Sequence, residues 1–316
     1  MLLPKSALAP LLACPRCHKP LEQTESGYRC ADPECPISAR GIFPTVSEWS
    51  ALVDFDRSVL VESELTGRAG GSAISRSSFA VLKTRFKHIF FPPNHVARHR
   101  VRQMRDELKN VDKPVVLVVG GGSIGSGIQD LYQDDTVQLI GFDIYGTQHT
   151  QFIADAHHIP LLNESVDAVL IQAVLEHVLE PRTVAEEIYR VLKPNGLVYA
   201  DTPFMQQVHE GPYDFTRFTE SGHRYLFRKF ERIASGVVTG PGTQLSWSIE
   251  YAARSIFRSR VLGKVVKFCF FWVVYLDRII PAPYALDGAS AVFFLGRKSD
   301  REVTPKEMIA YYQGAQ

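Results

Sequence analysis

From Val115 onwards the chain alternates short apolar runs with segments of helical period. The runs are Val115–Val119, Val137–Phe142, Val166–Ile171 and Leu197–Ala200. Apolar strands separated by helical patterns predict a parallel sheet covered on both faces. From Leu245 to Ile280 the pattern turns helical and unusually apolar, before a final strand-like run at Ala291–Leu295. This predicts a helical insertion, at about 245–285, ahead of the last strand. Thr304, Pro305 and Glu307 form a helix-start signal, with Thr as cap, Pro at the first position and Glu three residues on, so a short C-terminal helix should follow.

Composition adds a boundary at the other end. The 316 residues, 45% of them hydrophobic, can bury one large core and hold a second, smaller unit. The expected organisation is a cysteine-containing head at 1–55, a basic helical connector at 56–113, the alternating α/β region at 114–300 and a helical tail at 301–316. A net charge of +1 gives no global field to gather nucleic acid or an anionic membrane, so any such partner must be served by a local patch. One such patch is the stretch from Arg68 to Lys109, where ten basic residues, with Phe86, Phe90 and Phe91 among them, face only Asp106 and Glu107. Another is Val265–Leu276, an apolar run too short to span a bilayer and suited to a buried helix or one lying on a membrane surface. Four of the five cysteines fall between Cys14 and Cys35, unlike the spread pattern of a disulfide-stapled chain. Pro4 and Pro10 interrupt the apolar N-terminus, unlike a cleaved signal, and a cytoplasmic location is expected, with peripheral membrane contact through the apolar insertion.

The head carries a sharp motif. Cys14 and Cys17 pair across two residues, and Cys30 and Cys35 follow after a span able to fold back as a hairpin. Paired thiolates on two turns can close a tetrahedral zinc site and hold together a unit too small for its own core. Together with Pro20-Leu21 and Gly41–Val46, this segment resembles the zinc ribbons related to the activator subunit of certain tRNA and release-factor methyltransferases. It departs from them in having four residues, not two, between the second pair of cysteines.

The run Val115–Val119 leads into Gly120-Gly121-Gly122-Ser123-Ile124-Gly125, and Asp143 lies some twenty residues on. Alone, this is a nucleoside-cofactor fingerprint and does not say which nucleoside. The neighbours break the tie. Ala154–Leu161, Ser165–Val169, Val174–Val178 and Ile188–Gly196, taken in order, resemble the class I S-adenosylmethionine-dependent methyltransferases of the ubiquinone and menaquinone biosynthesis type. The resemblance implies a Rossmann-like, mostly parallel seven-stranded sheet with helices on both faces. It implies S-adenosylmethionine as cofactor, with Gly120 and Gly122 at the methionine and ribose portion, Gly125 also in the cofactor-binding set and Asp143 on the ribose hydroxyls. Asp155 would meet the adenine amine, Ala156 would also be cofactor-binding, and Gln172 would stand beside the sulfonium. Val118 occupies a position often acidic in that family. Glu176 and His177 are expected to close the site and pack its loop.

The loop after the fifth strand of the fold, Asp201–Thr219, concentrates titratable side chains where open α/β sheets place their ligands. His209 is the candidate general base, Asp214 its orienting partner and Arg217 a binder of an acidic part of the substrate. An alternative has Asp214 and Arg217 pairing with each other to fix the loop. The expected acceptor is small or lipid-linked and methylated at oxygen. Two other readings remain open: rRNA or tRNA methylation, with ribbon and connector gripping RNA, and a non-catalytic cofactor-binding scaffold.

Overall fold

The computed structural model describes residues 1–67 and 94–316. The Arg68–Phe91 part of the basic patch, including Phe86 and Phe90, falls outside them. Eleven strands are found among the described residues. β1 (Leu21–Thr24) and β2 (Gly27–Cys30) form an antiparallel hairpin in the head. The other nine are β3 (Thr45–Val46), β4 (Trp49–Ala51), β5 (Val115–Val119), β6 (Gln138–Asp143), β7 (Phe152–Ile153), β8 (Val166–Gln172), β9 (Leu192–Pro203), β10 (Phe230–Thr239) and β11 (Ala291–Lys298). They make one sheet in the order β10-β11-β9-β8-β5-β6-β7-β4-β3.

Strands β4, β7, β6, β5, β8 and β9 run parallel, while β11, β10 and β3 are antiparallel to their neighbours. The expected seven-stranded sheet is therefore present, and β4 and β3, which come from the end of the head, extend it to nine. Ser50 and Ala51 pair in parallel register with Phe152 and Ile153. Strand β9 starts five residues earlier than its apolar core suggests, because Leu192 still pairs with Val166 across a bulge.

The two faces of the sheet are covered differently. On one, Val116, Val118, Leu139 and Leu170 pack with Ala97, Val101 and Met104 of the His95–Glu107 helix. That helix precedes β5, whereas the segment after the glycine loop forms only the four-residue helix Gln129–Tyr132. The approach is too close for a side chain at Gly127, whose φ is +90° and whose Cβ would lie 2.4 Å from the Asn94 carbonyl oxygen. On the other face Leu117, Ile140, Phe142 and Val169 pack with Ile188 and Val191 of the Pro181–Val191 helix. No helix links β6 to β7, and Leu3, Leu8, Leu12 and Phe43 of the head complete the cover on that face. Backbone bonds fasten the head there, from Ala13 N–H to the Pro160 carbonyl (3.0 Å) and from Leu162 N–H to the Leu11 carbonyl (2.9 Å).

The predicted insertion is the Pro241–Phe257 helix, the Arg260–Cys269 helix and a 3-10 turn at Phe271–Arg278. The C-terminal helix is Pro305–Ala310, with Thr304 and Glu307 exchanging the reciprocal bonds of a capping box. No helix among the described residues is long and apolar enough to cross a membrane.

Candidate functional site

The glycine loop shapes a cavity of about 580 Å³ over the carboxyl ends of β5, β6, β8 and β9. That volume is ordinary for a small-molecule site, and the position is the ligand crevice of an open α/β sheet. Gly120 has φ +73°, and a Cβ there would lie 2.3 Å from Cγ2 of Val174. A Cβ at Gly125 would meet the Gln172 side-chain oxygen at 1.8 Å. The loop thus approaches Val174 and Gln172, both of which line the cavity, more closely than any side chain at these two positions would allow.

Of the sequence-derived cofactor residues, Gly120, Gly125, Asp143, Asp155, Ala156 and Gln172 line the cavity. Gly122 stands just behind, its N–H donating to Asp143 Oδ2 at 2.9 Å, while Oδ1 accepts from Ile144 N–H at 2.7 Å. These two bonds aim the Asp143 carboxylate. Asp155 accepts from Ser58 Oγ–H at 2.5 Å and from the His157 backbone N–H at 3.0 Å. It also meets His157 Nδ1 at 2.5 Å, and Nε2 of that ring accepts from Glu180 N–H. Despite its burial these bonds hold Asp155 below the usual carboxylate range. Gln172 donates to Asp201 Oδ2 (2.9 Å) and to the Ser126 carbonyl (3.1 Å), and its own side-chain oxygen is buried without a partner. Val118 lines the same cavity as an apolar residue.

The far wall gathers the acceptor-side candidates. His209 lines the cavity, as do Glu176, His177 and Asp201. His209 Nε2 lies 3.8 Å from Glu176 Oε1, and His177 Nε2 lies 3.7 Å from the same oxygen. The two imidazoles meet edge to face with centroids 4.8 Å apart. Burial lowers the His209 pKa, with His177 adding to the effect, so the ring is neutral at pH 7. Burial pushes Glu176 up to about 8 and Asp201 up to about 7. Asp201 keeps bonds from Tyr199 and Gln172, whereas neither carboxyl oxygen of Glu176 has a hydrogen-bond partner among the described residues.

Asp214 and Arg217 sit behind His209, outside the cavity lining. Asp214 Oδ2 accepts from the His209 backbone N–H at 2.7 Å and lies 3.3 Å from its Nδ1. Arg217 grips Asp214 with two guanidinium nitrogens and donates further to the Gln206 and Thr216 carbonyls. Its donors are engaged in fixing the loop, the arrangement weighed as the alternative to substrate binding. Sequence reasoning gave Glu176 and His177 a packing role and did not connect them with His209. The link is made by the loop folding back, with Phe215 N–H on the Glu176 carbonyl at 2.8 Å.

The four head cysteines converge as the spacing predicts. Cys14 and Cys35 have sulfurs 3.8 Å apart, and Cys17 and Cys30 3.6 Å apart. Four sulfurs around zinc at 2.3 Å stand roughly 3.8 Å from each other. None of the four cysteines lines the cavity.

Residues 118–200 match the family model described as a methyltransferase domain. Among solved structures the chain is similar to the [4+2]-cyclase SpnF, at 17% identity over 64% of this chain and 80% of that one, with TM-score 0.40. It is similar to a protein assigned as a sarcosine dimethylglycine methyltransferase in Galdieria sulphuraria, at 15% identity over 65% and 86%, with TM-score 0.44. A chain of the Haloferax volcanii complex between the Trm112 methyltransferase activator and a methyltransferase gives 17% identity over 65% and 92%, with TM-score 0.42. No curated protein matches the sequence.

Proposed function

We propose that this S-adenosylmethionine-dependent methyltransferase moves its methyl group to an oxygen of a small or lipid-linked acceptor. The observation that carries this reading is the single cavity shared by the glycine-loop wall and the Glu176–His177–His209 wall. S-Adenosylmethionine would lie along the first wall, with Asp143, aimed by its two backbone bonds, accepting from the ribose hydroxyls and Gln172 beside the sulfonium. Asp155 and Ala156 border the adenine end. The bound cofactor supplies a methyl carbon already activated by positive sulfur, so the protein's task is alignment and removal of a proton.

The acceptor enters beside Thr202, Gln206, Thr243, Ser246 and Trp247, a wall of mixed polarity that also lines the cavity. Its hydroxyl loses a proton at the Glu176–His177–His209 wall, and the oxygen lone pair then attacks the methyl carbon as the carbon–sulfur electrons return to sulfur. With no cation present, the group that receives the proton is the neutral His209 imidazole. Asp214 faces His209 Nδ1 and would steady the imidazolium, and Arg217 holds Asp214 in place. The four cysteines would hold one zinc ion, a structural role remote from the transfer.

The apolar insertion favours an acceptor presented from a lipid surface. Phe257, Val261, Phe268 and Trp272 are exposed on it, next to Arg258, Arg260 and Lys264. Exposed apolar side chains interspersed with basic ones along the chain suit the interface of an anionic bilayer, where a helix lies in the plane. RNA is less favoured: Arg98 and Arg102 pair with Asp130, and Arg105 pairs with Asp134, so this part of the basic stretch is answered by acids.

Incubation with methyl-labelled S-adenosylmethionine and fractionated cell extract tests the reading. Label should enter the small-molecule or lipid fraction, and His209→Ala should reduce its rate by roughly a hundredfold while cofactor affinity stays within about twofold. Label found only in RNA would overturn it.

A further inference from the structure

Glu176, His177 and His209 have the form of a cation site as well as of a proton-transfer site. One ligand atom from each, all within 4.8 Å of one another, can be directed at a common point. Both imidazoles turn Nε2 towards Glu176 Oε1, at 3.7 and 3.8 Å. Ligand atoms around a tetrahedral zinc ion at roughly 2.1 Å would stand roughly 3.4 Å apart, so each imidazole need approach Glu176 by only a few tenths of an ångström.

The far side of each ring is arranged as a metal ligand requires. His177 Nδ1–H donates to the Tyr213 carbonyl at 2.7 Å, which leaves Nε2 with its lone pair free for a cation. His209 Nδ1 faces Asp214 Oδ2 at 3.3 Å, and Arg217 holds that carboxylate. Such outer partners fix the tautomer and aim the ring.

The second, independent observation is Glu176 itself. Its residue is 1% exposed, it lines the cavity, and both carboxyl oxygens are buried with no hydrogen-bond partner. An unpaired buried carboxylate is costly, and a cation is what such a group recognises.

We propose that Glu176, His177 and His209 bind a divalent transition-metal cation whose open coordination positions face the acceptor. Two imidazoles and one carboxylate are a donor set suited to zinc, cobalt, manganese or ferrous ions more than to magnesium, which prefers an all-oxygen shell. Binding of the cation does not depend on the oxygen-acceptor reading, but its role in the reaction rests on it. The acceptor hydroxyl oxygen coordinates the cation, its proton passes to solvent water, and the metal-held oxygen takes the methyl group as the carbon–sulfur bond breaks. His209 then serves as ligand and the cation performs the activation.

Cobalt(II) is the probe, added to full-length protein whose cysteine site is first filled with zinc. Equilibrium dialysis should show one cobalt ion per chain in addition to the thiolate-bound zinc. Its visible d–d absorption should lack the sulfur-to-cobalt charge-transfer band that exchange at the cysteines would produce. Glu176→Gln and His177→Ala should each weaken cobalt binding at least tenfold while S-adenosylhomocysteine still binds, which shows the variants folded. No stoichiometric binding of cobalt or zinc outside the cysteines, or equal binding by the variants, overturns the proposal. Wild-type protein that methylates an oxygen at full rate after chelation leaves His209 as the base and the cation without its role. Cobalt binding together with methylation at carbon or nitrogen keeps the site and removes the oxygen acceptor.

Discussion

His223 lies on the Glu220–Leu226 helix with both ring nitrogens buried and without a hydrogen-bond partner among the described residues. Phe218 and Phe227 pack against its ring. Burial pushes its pKa from 6.5 down to about 3. The unfolded chain therefore binds one more proton than the folded one between those values. Stability is full above pH 6.5 and falls as the pH drops towards 3, by about 1.4 kcal/mol per pH unit from this group alone. His223→Phe keeps an aromatic ring in the same packing and removes that proton. Denaturant melts at pH 7 and pH 4.5 should show the variant losing less stability on acidification than the parent, with unchanged loss pointing to other groups. The same scale explains what was hidden in the site. Asp143 and His209 stood out because glycine spacing and a loop rich in titratable groups mark them. Glu176 and His177 did not, since the lack of hydrogen-bond partners at Glu176 is a property of burial and the meeting of His177 with His209 is made by the folded-back loop, and neither can be read from neighbours in sequence.

Among the elements, the Pro241–Phe257 helix depends on a residue thirty-odd positions away. Asp277, in the 3-10 turn of the insertion, accepts from Gly242 N–H at 2.6 Å, Gly240 N–H at 3.0 Å and Thr243 N–H at 3.2 Å. A carboxylate on the free N–H groups of a helix start is stabilising through both the bonds and the helix dipole. Cβ atoms at Gly240 or Gly242 would crowd Asp277, at 2.7 and 2.9 Å from Oδ1. Asp277→Ala should cost about 2 kcal/mol of stability. It should also weaken acceptor binding more than cofactor binding, because Thr243, Ser246 and Trp247 on that helix line the cavity. Calorimetric melting and a comparison of Michaelis constants for the two substrates check both effects, and an unaltered melting temperature would remove the cap from the account. Periodicity revealed the strands and the helical insertion. It could not reveal this long-range cap, nor that the expected helix after the glycine loop shrinks to Gln129–Tyr132 while His95–Glu107 occupies the sheet face instead.

At the scale of the whole molecule, head and sheet share one core. Cys14, Cys30 and Cys35 belong to the same buried cluster as Leu117, Ile140 and Phe142. Loss of zinc from the head should therefore be felt by the sheet. Cys30→Ser should abolish thiolate-bound zinc and lower the melting temperature of the entire chain by several degrees, not of a separate small transition; a parent protein that is folded, metal-replete and zinc-free would contradict this. The motifs announced the head's metal chemistry, but nothing in them indicated that β3 and β4 continue the main sheet. That pairing joins residues about a hundred positions apart, and the short Trp49–Ala51 segment carries too little pattern to declare its partner. The cavity that these parts enclose is central to the function, and the cofactor's place in it is open to direct measurement. In titration calorimetry, S-adenosylhomocysteine should bind the parent protein one to one, and Asp143→Ala should weaken it on the order of tenfold to a hundredfold through loss of a charged acceptor for ribose. Binding of NADH in place of S-adenosylhomocysteine, or an affinity for S-adenosylhomocysteine indifferent to Asp143, would contradict the account.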